Sequence, residues 1–507
     1  MRRLTMWNSV VGTALAAFTA VAFTVPAPVT AQESASMEVT FTKDIAPILQ
    51  RSCQQCHRPG GVAPMPLVTF EDAQPYAMAM MRRTGIRDRQ GTMPPWYVEK
   101  DIGIQHYKDD PSLSTEEIAA IASWARGGTP MGDPADMPAP LVFDDKPGWT
   151  LGEPDVIVST QEFFVKGDDP DWWGDIEPAA TGLTEDRYVK SVEIREINDI
   201  GNNGGSDRET VGGLYVFHHM VYATRVLDDP SAGGVTWPVH EVGRNADIFD
   251  PEGARLLKAG SSIVSNSTHL HSNGTDTRAH LEVGFRFHPR DYEPKYRPAN
   301  FFLGSGSDID IKAGEKDQEL HAYTVLQRHT KIVTFEPHLH APGERMCLEA
   351  IWGFNVETLS CVGYDHNWVR GYTFEDDYQP LLPKGTILHI IGYMNNTDQN
   401  RNIPDARNWQ GAGNRSVANM FIDLGMRLSM NDEQFQEEMA IRRERLNLTI
   451  NDHVIGCPLC TAGIPLLPEL EEEEGEGEGA AVSEVEASSA EELLGTWTLP
   501  LESPQGA

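Results

Sequence analysis

The chain has 507 residues, which is enough for two to four domains with sizeable buried cores. Its formal net charge of −34 argues against a nucleic-acid partner, because binding to phosphate requires a basic surface. Apart from one apolar run near the N-terminus, no stretch is apolar and long enough to predict a stable membrane span.

The N-terminus has the pattern of a secretory signal. Arg2 and Arg3 precede an almost wholly apolar run over residues 10–25, and Val29-Thr30-Ala31 supplies small residues for cleavage. The run is short for a membrane anchor, which is the alternative. The sequence therefore predicts a signal peptide over residues 1–31 and a mature protein that is periplasmic or secreted, in a bacterial cell envelope.

The first chemical motif is Cys53-Gln54-Gln55-Cys56-His57. Two thiols at this spacing can bond to the two vinyl groups of a haem, and the adjacent imidazole then becomes an axial ligand of the iron. A local disulfide or half of a zinc site is the alternative, but no second pair of zinc ligands follows in roughly the next hundred residues. The motif predicts covalent haem c held by Cys53, Cys56 and His57.

A small all-α cytochrome c domain is predicted over residues 38–135. A short helix from Phe41 to Leu49 leads to the cysteines. A second helix begins with the capping box of Ser114-Thr115-Glu116-Glu117 and ends at Gly127-Gly128. A Pro-rich stretch around residues 130–140 marks a linker, which is predicted over residues 136–150.

The second axial ligand of the iron is predicted to be Met93. It lies in Thr92-Met93-Pro94-Pro95, where the prolines favour a rigid, extended approach. Met65 and His106 are the alternatives. A Met/His pair would raise the reduction potential and leave no site for oxygen, which favours a relay of electrons over catalysis at the haem.

From about residue 150 to 430 the sequence alternates short β-branched or aromatic runs with turn residues. Two all-β domains, jelly-roll-like β-sandwiches, are predicted over residues 151–300 and 301–430. The runs that predict strands are Val156-Ile157-Val158, Tyr215-Val216-Phe217, Leu281 to Phe287 and Ile387 to Ile391.

Three close pairs of histidines lie among these predicted strands: His218 and His219, His269 and His271, and His338 and His340. In a strand, alternate residues point to one face, so each His-x-His pair can present two imidazoles to one metal ion. Adjacent His218 and His219 would point to opposite faces, so a bulge or a strand end is required for both to bind one ion. Sets of imidazoles suit Cu, Zn, Fe or Ni, and copper binds most strongly where it is available.

The order of these motifs resembles the copper type II monooxygenases, the family of dopamine β-hydroxylase and the peptidylglycine α-hydroxylating enzymes. The shared order is His218-His219-Met220, a single ligand His, His338-x-His340 and a Met in a later strand. The resemblance covers roughly residues 150–430 and extends to bacterial proteins that fuse a cytochrome c domain to this module. Only the His-His-Met and His-x-His elements are specific.

The resemblance implies two copper ions with separate ligand sets. His218, His219 and His269 resemble the ligands of the electron-transferring copper. His338, His340 and Met420 resemble the ligands of the catalytic, oxygen-binding copper. Met394 is the alternative thioether, and His271 has no ligand counterpart in the family.

Two departures from the family concern the substrate. Glu336 stands where the peptide-hydroxylating members have an Arg that holds the substrate carboxylate, and Leu424 stands where they have a Tyr. A peptide C-terminus is therefore not expected as the substrate. Glu336 beside the oxygen-side ligands would instead suit a cationic or hydroxylated molecule. The alternatives are that Glu336 faces solvent or pairs with Arg345.

The resemblance thus implies a copper-dependent monooxygenase that hydroxylates a C–H bond of a small molecule with dioxygen. Electrons would come through the fused haem, from ascorbate or a periplasmic redox protein. One alternative is a periplasmic electron-transfer cytochrome whose β region is a non-catalytic metal- or ligand-binding scaffold. The other is a zinc hydrolase, for which Glu336 is the only obvious carboxylate base beside the His pairs.

The remaining cysteines predict disulfides. Cys347 and Cys361 lie in two strand-like runs joined by a turn, which favours a cross-strand bond. Cys457-Pro458-Leu459-Cys460 lacks a following His, so a local disulfide is preferred over a second haem site or a redox-active dithiol. A helical segment containing this motif is predicted over residues 431–465. An acidic, disordered tail is predicted over residues 466–507.

Overall fold

The computed structural model describes residues 38–59, 61, 63–143, 149–200, 215–241, 244–413, 418–449 and 451–460. Antiparallel β-strands predominate in these ranges and helices are few. None of the helices there is long and apolar enough to cross a membrane. The predicted signal peptide and acidic tail lie outside the described residues.

A helical region forms the first part of the described chain. Its helices are α1 (Ala46–Ser52), α2 (Phe70–Ala73), α3 (Ala77–Thr84) and α4 (Thr115–Arg126), with a π-helical turn at Phe41–Ile45. Ser114 and Glu117 form the predicted capping box of α4, which ends at Gly127. The helices pack around one apolar cluster in which Phe41, Leu49 and Trp124 are almost fully buried.

Residues 96–107 lie inside the predicted cytochrome range but pack elsewhere. Trp96, Tyr97 and Val98 belong to a buried cluster made mostly of residues beyond position 300. Val98 and Tyr107 form isolated β-bridges with Val362 and Phe374. The range predicted as one domain therefore contains a helical part and a segment that packs in the C-terminal β region.

The first β module spans residues 156–287 and contains two six-stranded antiparallel sheets. Its strands are β1 (Val156–Ser159), β2 (Phe163–Val165), β3 (Trp172–Gly174), β4 (Ala179–Ala180), β5 (Arg187–Asn198), β6 (Phe217–Arg225), β7 (Gly234–Thr236), β8 (His240–Glu241), β9 (Ala246–Ile248), β10 (Arg255–Leu257), β11 (Ser262–Leu270) and β12 (Thr277–Phe287). One sheet has the order β1-β12-β5-β10 and the other β3-β11-β6-β7. Both contribute to one core, into which β12 directs every second residue from Ala279 to Phe287.

The second β module spans residues 297–430. Its strands are β13 (Arg297–Pro298), β14 (Gly304–Ser305), β15 (Gln318–Val325), β16 (His329–Ile332), β17 (Thr334–Phe335), β18 (Pro337–Leu339), β19 (Gly343–Trp352), β20 (Asn355–Gly363), β21 (Tyr372–Thr373), β22 (Leu381–Leu382), β23 (Ile387–Met394), β24 (Phe421–Asp423) and β25 (Arg427–Met430). Its largest sheets have the orders β15-β23-β19-β20 and β13-β25-β16-β22, and a smaller sheet has the order β14-β24-β18. The two β modules enclose separate buried clusters, as predicted for two all-β domains.

Both predicted disulfides are present. Cys347 and Cys361 are directly paired residues of β19 and β20. Cys457 and Cys460 form a local bridge just after the last helix, α5 (Asp432–Arg445). The helix agrees with the helical segment predicted after residue 431.

Candidate metal centre

The adjacent histidines lie at a β-bulge, as the sequence required. In the pairing of β6 with β11, Phe217 is opposite Leu270 and His219 is opposite His269, so His218 is an extra residue on β6. Phe217 and Met220 both enter the apolar core although they are three residues apart. Because the bulge takes up the odd residue, both imidazoles face away from that core.

His218, His219 and His269 form a compact set. One ligand atom from each residue lies within 4.8 Å of the other two. Nδ1 of His218 and Nδ1 of His269 have no hydrogen-bond partner among the described residues. The indole of Trp173, opposite His269 on β3, stacks on the His269 ring at 3.8 Å. The set fits a metal ion, because buried ring nitrogens without hydrogen-bond partners are otherwise costly.

The second set, His338 and His340, lies on and just after β18. Nδ1 of His340 donates a hydrogen bond to the carbonyl of Ala418 (3.1 Å), which leaves Nε2 of this ring for a metal ion. The two rings of the set are 5.5 Å apart, centroid to centroid. Nδ1 of His338 lies 2.9 Å from Oε1 of Glu241, a buried carboxylate of the first β module.

Strand register favours Met420 over Met394 as a neighbour of this set. In β18 and β24, His338 is opposite Ile422 and Leu339 is opposite Phe421. Continuing this register by one residue puts Met420 opposite His340, on the face of the strand pair that carries the imidazoles. Met394 is 1 % exposed and belongs to the apolar core with Leu339 and Phe421, on the other face.

His366 lies between the two sets and belongs to none of the sequence motifs. Its ring lies 5.7 Å from that of His218 and 6.1 Å from that of His340, centroid to centroid. His271 also contacts the first set, 5.7 Å from the His218 ring. We call these residues the histidine cluster: His218, His219, His269, His271, His338, His340 and His366. No sequence pattern marks His366, because it is a lone His between two strands.

Glu241 is the second residue that the sequence analysis missed. It is opposite His219 in the pairing of β6 with β8, so a single carboxylate lies beside one imidazole from each set. Burial raises its pKa, but His338 and then Arg244 and His219 outweigh that effect and lower the pKa to about 2. The group is therefore an anion beside the imidazoles at neutral pH.

Glu336 does not occupy a position from which it could bind a cationic substrate. It is 1 % exposed and forms a buried ion pair with Arg244 of the first β module. Arg345, another cation considered for it, instead pairs with Glu99. A carboxylate already neutralised by a buried guanidinium is not available to attract a cationic substrate.

Burial favours the neutral form of the imidazole, the form that binds metals, at five of these histidines. Burial lowers the pKa of His219 to about 4, against the opposing effect of Glu241. Burial, with the neighbouring His338, lowers the pKa of His366 to about 4. Burial and the same neighbour lower the pKa of His340 to about 3. The pKa values of His218 and His269 are lowered in the same way.

The Cys-x-x-Cys-His motif follows α1. Cys53 and Cys56 are not in a disulfide, and both are half-buried. Nδ1 of His57 donates a hydrogen bond to the carbonyl of Met65 (3.0 Å), so its Nε2 is left for a metal. The backbone of Met65 is thus hydrogen-bonded to the His57 ring. Its side chain is therefore badly placed to bind an iron on the face opposite to His57.

The other two candidate iron ligands have different surroundings. The side chain of Met93 is 42 % exposed, beside a cis peptide bond to Pro94. The ring of His106 stacks on Tyr378 at 3.5 Å, and its Nδ1 lies 3.4 Å from Glu375. His106 therefore has partners in the second β module, whereas the Met93 side chain is accessible.

A cavity of about 850 Å³ lies next to the motif. Cys56 and Arg58 line it from the helical region, and residues 368–370 line it from the second β module. His240, the neighbour of Glu241, also borders the cavity. Since His366 is only two residues from Trp368, one short segment borders both this cavity and the histidine cluster.

No known protein-family model matches the chain, and no curated protein matches it. The resemblance to copper type II monooxygenases therefore depends on the sequence motifs alone.

Proposed function

We propose that the chain is an exported, copper-dependent monooxygenase that hydroxylates a C–H bond of a small molecule with dioxygen. In this proposal it belongs with the fusions of a cytochrome c domain to a copper type II monooxygenase module. Electrons are supplied through a covalently attached haem, and the donor to the haem is ascorbate or a periplasmic redox protein.

The observation that carries the proposal is the histidine cluster between the two β modules. In set one, ligand atoms of His218, His219 and His269 lie within 4.8 Å of one another, and set two has His338 and His340, with Met420 directly before β24, the strand that pairs with β18. Imidazole with a single soft thioether suits copper better than it suits zinc, magnesium or calcium. Copper bound to such ligands supplies one-electron chemistry and the activation of dioxygen.

The chain's own residues hold the ligand rings in place. The carbonyl of Ala418 fixes the His340 ring, and Glu241 lies against His338. The stacked indole of Trp173 limits rotation of the His269 ring. Preset ring orientations raise metal affinity because less side-chain entropy is lost when the metal binds.

The residues around Cys56 fit a covalent haem. Two cysteines outside any disulfide and an imidazole with Nε2 available satisfy the attachment chemistry. Arg58, Lys108 and Arg370 border the adjacent cavity and match the two carboxylates of a haem. Met93 remains the proposed second axial ligand, because its accessible side chain has no competing role in the described residues.

Location outside the cytoplasm is supported by two observations. The disulfides Cys347–Cys361 and Cys457–Cys460 are typical of proteins in an oxidising compartment. The N-terminal pattern of Arg2 and Arg3 before an apolar run is that of an export signal. Haem attachment of the c type is also carried out outside the bacterial cytoplasm.

The first test is the metal content of protein matured in a haem-attaching periplasm and supplied with copper. The proposal expects about one iron and two coppers per chain, followed by oxygen uptake coupled to product when candidate substrates are added. An electron carrier would show no coupled uptake. Zinc in place of copper, with no oxygen uptake, would overturn the proposal in favour of a hydrolase.

A further inference from the structure

We propose that the second β module, through Asp365, positions Met93 as the second axial ligand of the haem iron. The inference rests on the proposed function, because it requires a covalent haem with Met93 as a ligand. It goes further by assigning the hold on that ligand to a module outside the helical region. Asp365 is a positioning residue in this proposal, because it acts through the segment that carries Met93.

The segment that carries Met93 leaves the helical region and enters the second β module. Trp96 follows Met93 by three positions and is 4 % exposed. Its ring packs edge-on against the rings of Tyr107 and Tyr372, with centroids 5.9 and 5.0 Å away. Cζ of Arg370 lies 5.3 Å from the centroid of the same ring. The chain just after Met93 is therefore fixed in the core of the β module and not among the helices.

Asp365, which lies just after β20, contacts the chain on both sides of Met93. Its Oδ1 accepts a hydrogen bond from the side chain of Gln90 (3.2 Å), and its Oδ2 accepts one from the backbone N–H of Gly91 (3.3 Å). The hydroxyl of Tyr97 donates a hydrogen bond to the same Oδ2 (3.4 Å). One carboxylate of the second β module thus binds three groups of the segment that presents Met93.

The surroundings of these contacts are buried. Asp365 is 9 % exposed and Tyr97 is 2 % exposed. Burial, with Asp365 beside it, raises the pKa of Tyr97, so the hydroxyl keeps the proton that it donates. The N–H of Gly363, the last residue of β20, donates to the carbonyl of Tyr97 (2.8 Å), and the carbonyl oxygen of Asp88 leaves no room for a Cβ at Gly363. The end of β20 is therefore in backbone contact with this segment.

The helical region makes its own contacts with the segment at Arg83, in the last turn of α3. The carbonyl of Arg83 accepts hydrogen bonds from the N–H of Met93 (3.3 Å) and the hydroxyl of Thr92 (3.3 Å). Its guanidinium donates to the carbonyl of Gly91 (3.1 Å). The side chain of Arg83 is exposed, where water competes for such bonds, so the buried Asp365 is expected to be the stronger anchor.

The test uses the full-length chain with its covalent haem in the ferric form. A thioether bound to ferric haem gives a weak charge-transfer absorption band in the red, which disappears when the thioether leaves. Added imidazole competes with Met93 for the iron, so its apparent affinity rises with the fraction of chains in which Met93 is not bound. Asp365→Asn keeps the size of the side chain but replaces one acceptor oxygen by an NH₂ donor. We expect this variant to lose most of the band and to bind imidazole about tenfold more tightly.

Asp405→Asn is the matched control. Asp405 also belongs to the second β module and accepts a hydrogen bond from a backbone N–H, that of Arg407 (3.0 Å). It is not bonded to residues 90–97, all of which the structure describes. This variant should keep the band and the imidazole affinity of the wild type. Met93→Ala gives the spectrum that corresponds to complete loss of the ligand.

Each other outcome has a distinct meaning. Asp365→Asn with the band and the imidazole affinity of the wild type would overturn the positioning role. A wild-type chain without the band, or a Met93→Ala chain that keeps it, would overturn this inference and leave the covalent haem and the copper sites of the proposed function standing. A chain that takes up no covalent haem would overturn the proposed function as well.

A second variant covers the case in which Asp365→Asn folds poorly. Gln90→Ala removes one of the three contacts from the other side, and Gln90 is exposed, so its loss should not disturb a core. A rise in imidazole affinity in this variant supports the proposal. Imidazole affinity equal to that of the wild type in folded Gln90→Ala counts against it.

Discussion

Nδ1 of His338 lies 2.9 Å from Oε1 of Glu241, and this contact joins the second β module to the first. Glu241 is directly opposite His219 across β6 and β8, so the same carboxylate lies beside a ligand of each set. Arg244, three residues further on, forms a buried ion pair with Glu336, two residues before His338. The two β modules are therefore joined by charged contacts immediately around the proposed metal ligands.

Replacing Glu241 by Gln should weaken metal binding at His338 and His340. A carboxylate next to a ligand imidazole fixes the orientation of the ring and increases its basicity, and loss of such a partner lowers metal affinity by about 10- to 100-fold. Copper affinity is measured by competition with a chelator, and the first set provides an internal reference.

Glu349→Gln is a matched control for this prediction. Glu349 also lies 2.9 Å from Nδ1 of a histidine, His389, with which it forms a hydrogen bond outside the histidine cluster. Its replacement should leave both copper affinities unchanged. Equal copper affinity in Glu241→Gln and wild type would show that Glu241 does not orient His338.

Alanine variants of Met420 and Met394 should distinguish the loss of a copper ligand from damage to the apolar core. Met420→Ala is expected to lower Cu(I) affinity by about tenfold or more, because the soft thioether favours Cu(I). Met420 is half-buried, so the cost to the free energy of unfolding should be near 1 kcal/mol. Met394→Ala removes a fully buried side chain from the core and should cost about 2–5 kcal/mol while leaving Cu(I) affinity intact.

Cu(I) competition and urea unfolding on both variants measure these effects. The opposite pattern, with Cu(I) affinity lost in Met394→Ala and retained in Met420→Ala, would exchange the roles of the two residues. If neither variant loses Cu(I) affinity, then neither methionine is a thioether ligand of the second set.

Sequence reasoning succeeded where the determinant of structure is local. The capping box of Ser114 and Glu117 predicted the start of α4, because both partners lie within one helical turn. The pair His218-His219 predicted a bulge or a strand end if both bind one ion, and a bulge is present, because two adjacent side chains otherwise point to opposite faces of a strand. The cross-strand pair of Cys347 and Cys361 followed from two strand-like runs around one short turn.

Sequence reasoning failed where contacts between distant parts of the chain determine the structure. Glu241 and His338 are 97 positions apart by their numbers, and no periodicity connects them. His366 is a single histidine after β20, and only packing of the two modules gives it neighbours. The same reason explains residues 96–107, which form part of the β core although they lie between two helices in sequence.

Replacing both Cys53 and Cys56 by Ser should abolish covalent haem while the copper sites persist. The helical region has its own apolar cluster, separate from the clusters of the β modules, so the change should not unfold those modules. Haem attachment is followed by haem staining after denaturing electrophoresis, and copper by elemental analysis.

The chain offers a matched control in Cys457 and Cys460, which have the same spacing but form a disulfide and lack a following His. The variant with Ser at both of these positions should keep its haem. Covalent haem that survives the loss of Cys53 and Cys56, or disappears in the control, would contradict the assignment of the motif.

The stability of the metal-free chain should fall as the pH drops from about 6.5 to about 4. Burial lowers the folded-state pKa of His219 and of His366 to about 4, against an ordinary value of 6.5. In this window the unfolded chain takes up protons that the folded chain does not, so the free energy of the unfolded state falls relative to that of the folded state. The stabilising effect is fully present above pH 6.5 and is lost as the pH falls through the folded pKa.

Each such imidazole should contribute a slope on the order of 1.4 kcal/mol per pH unit to the free energy of unfolding. The measurement is urea unfolding of the metal-free protein at pH 6.5, 5.5 and 4.5, and of His366→Gln beside it. Because Gln does not titrate, the variant should show a slope shallower by the equivalent of about one proton. Equal slopes in the two proteins would mean that His366 is protonated equally in the folded and unfolded states, and so is not held as the neutral imidazole that metal binding requires.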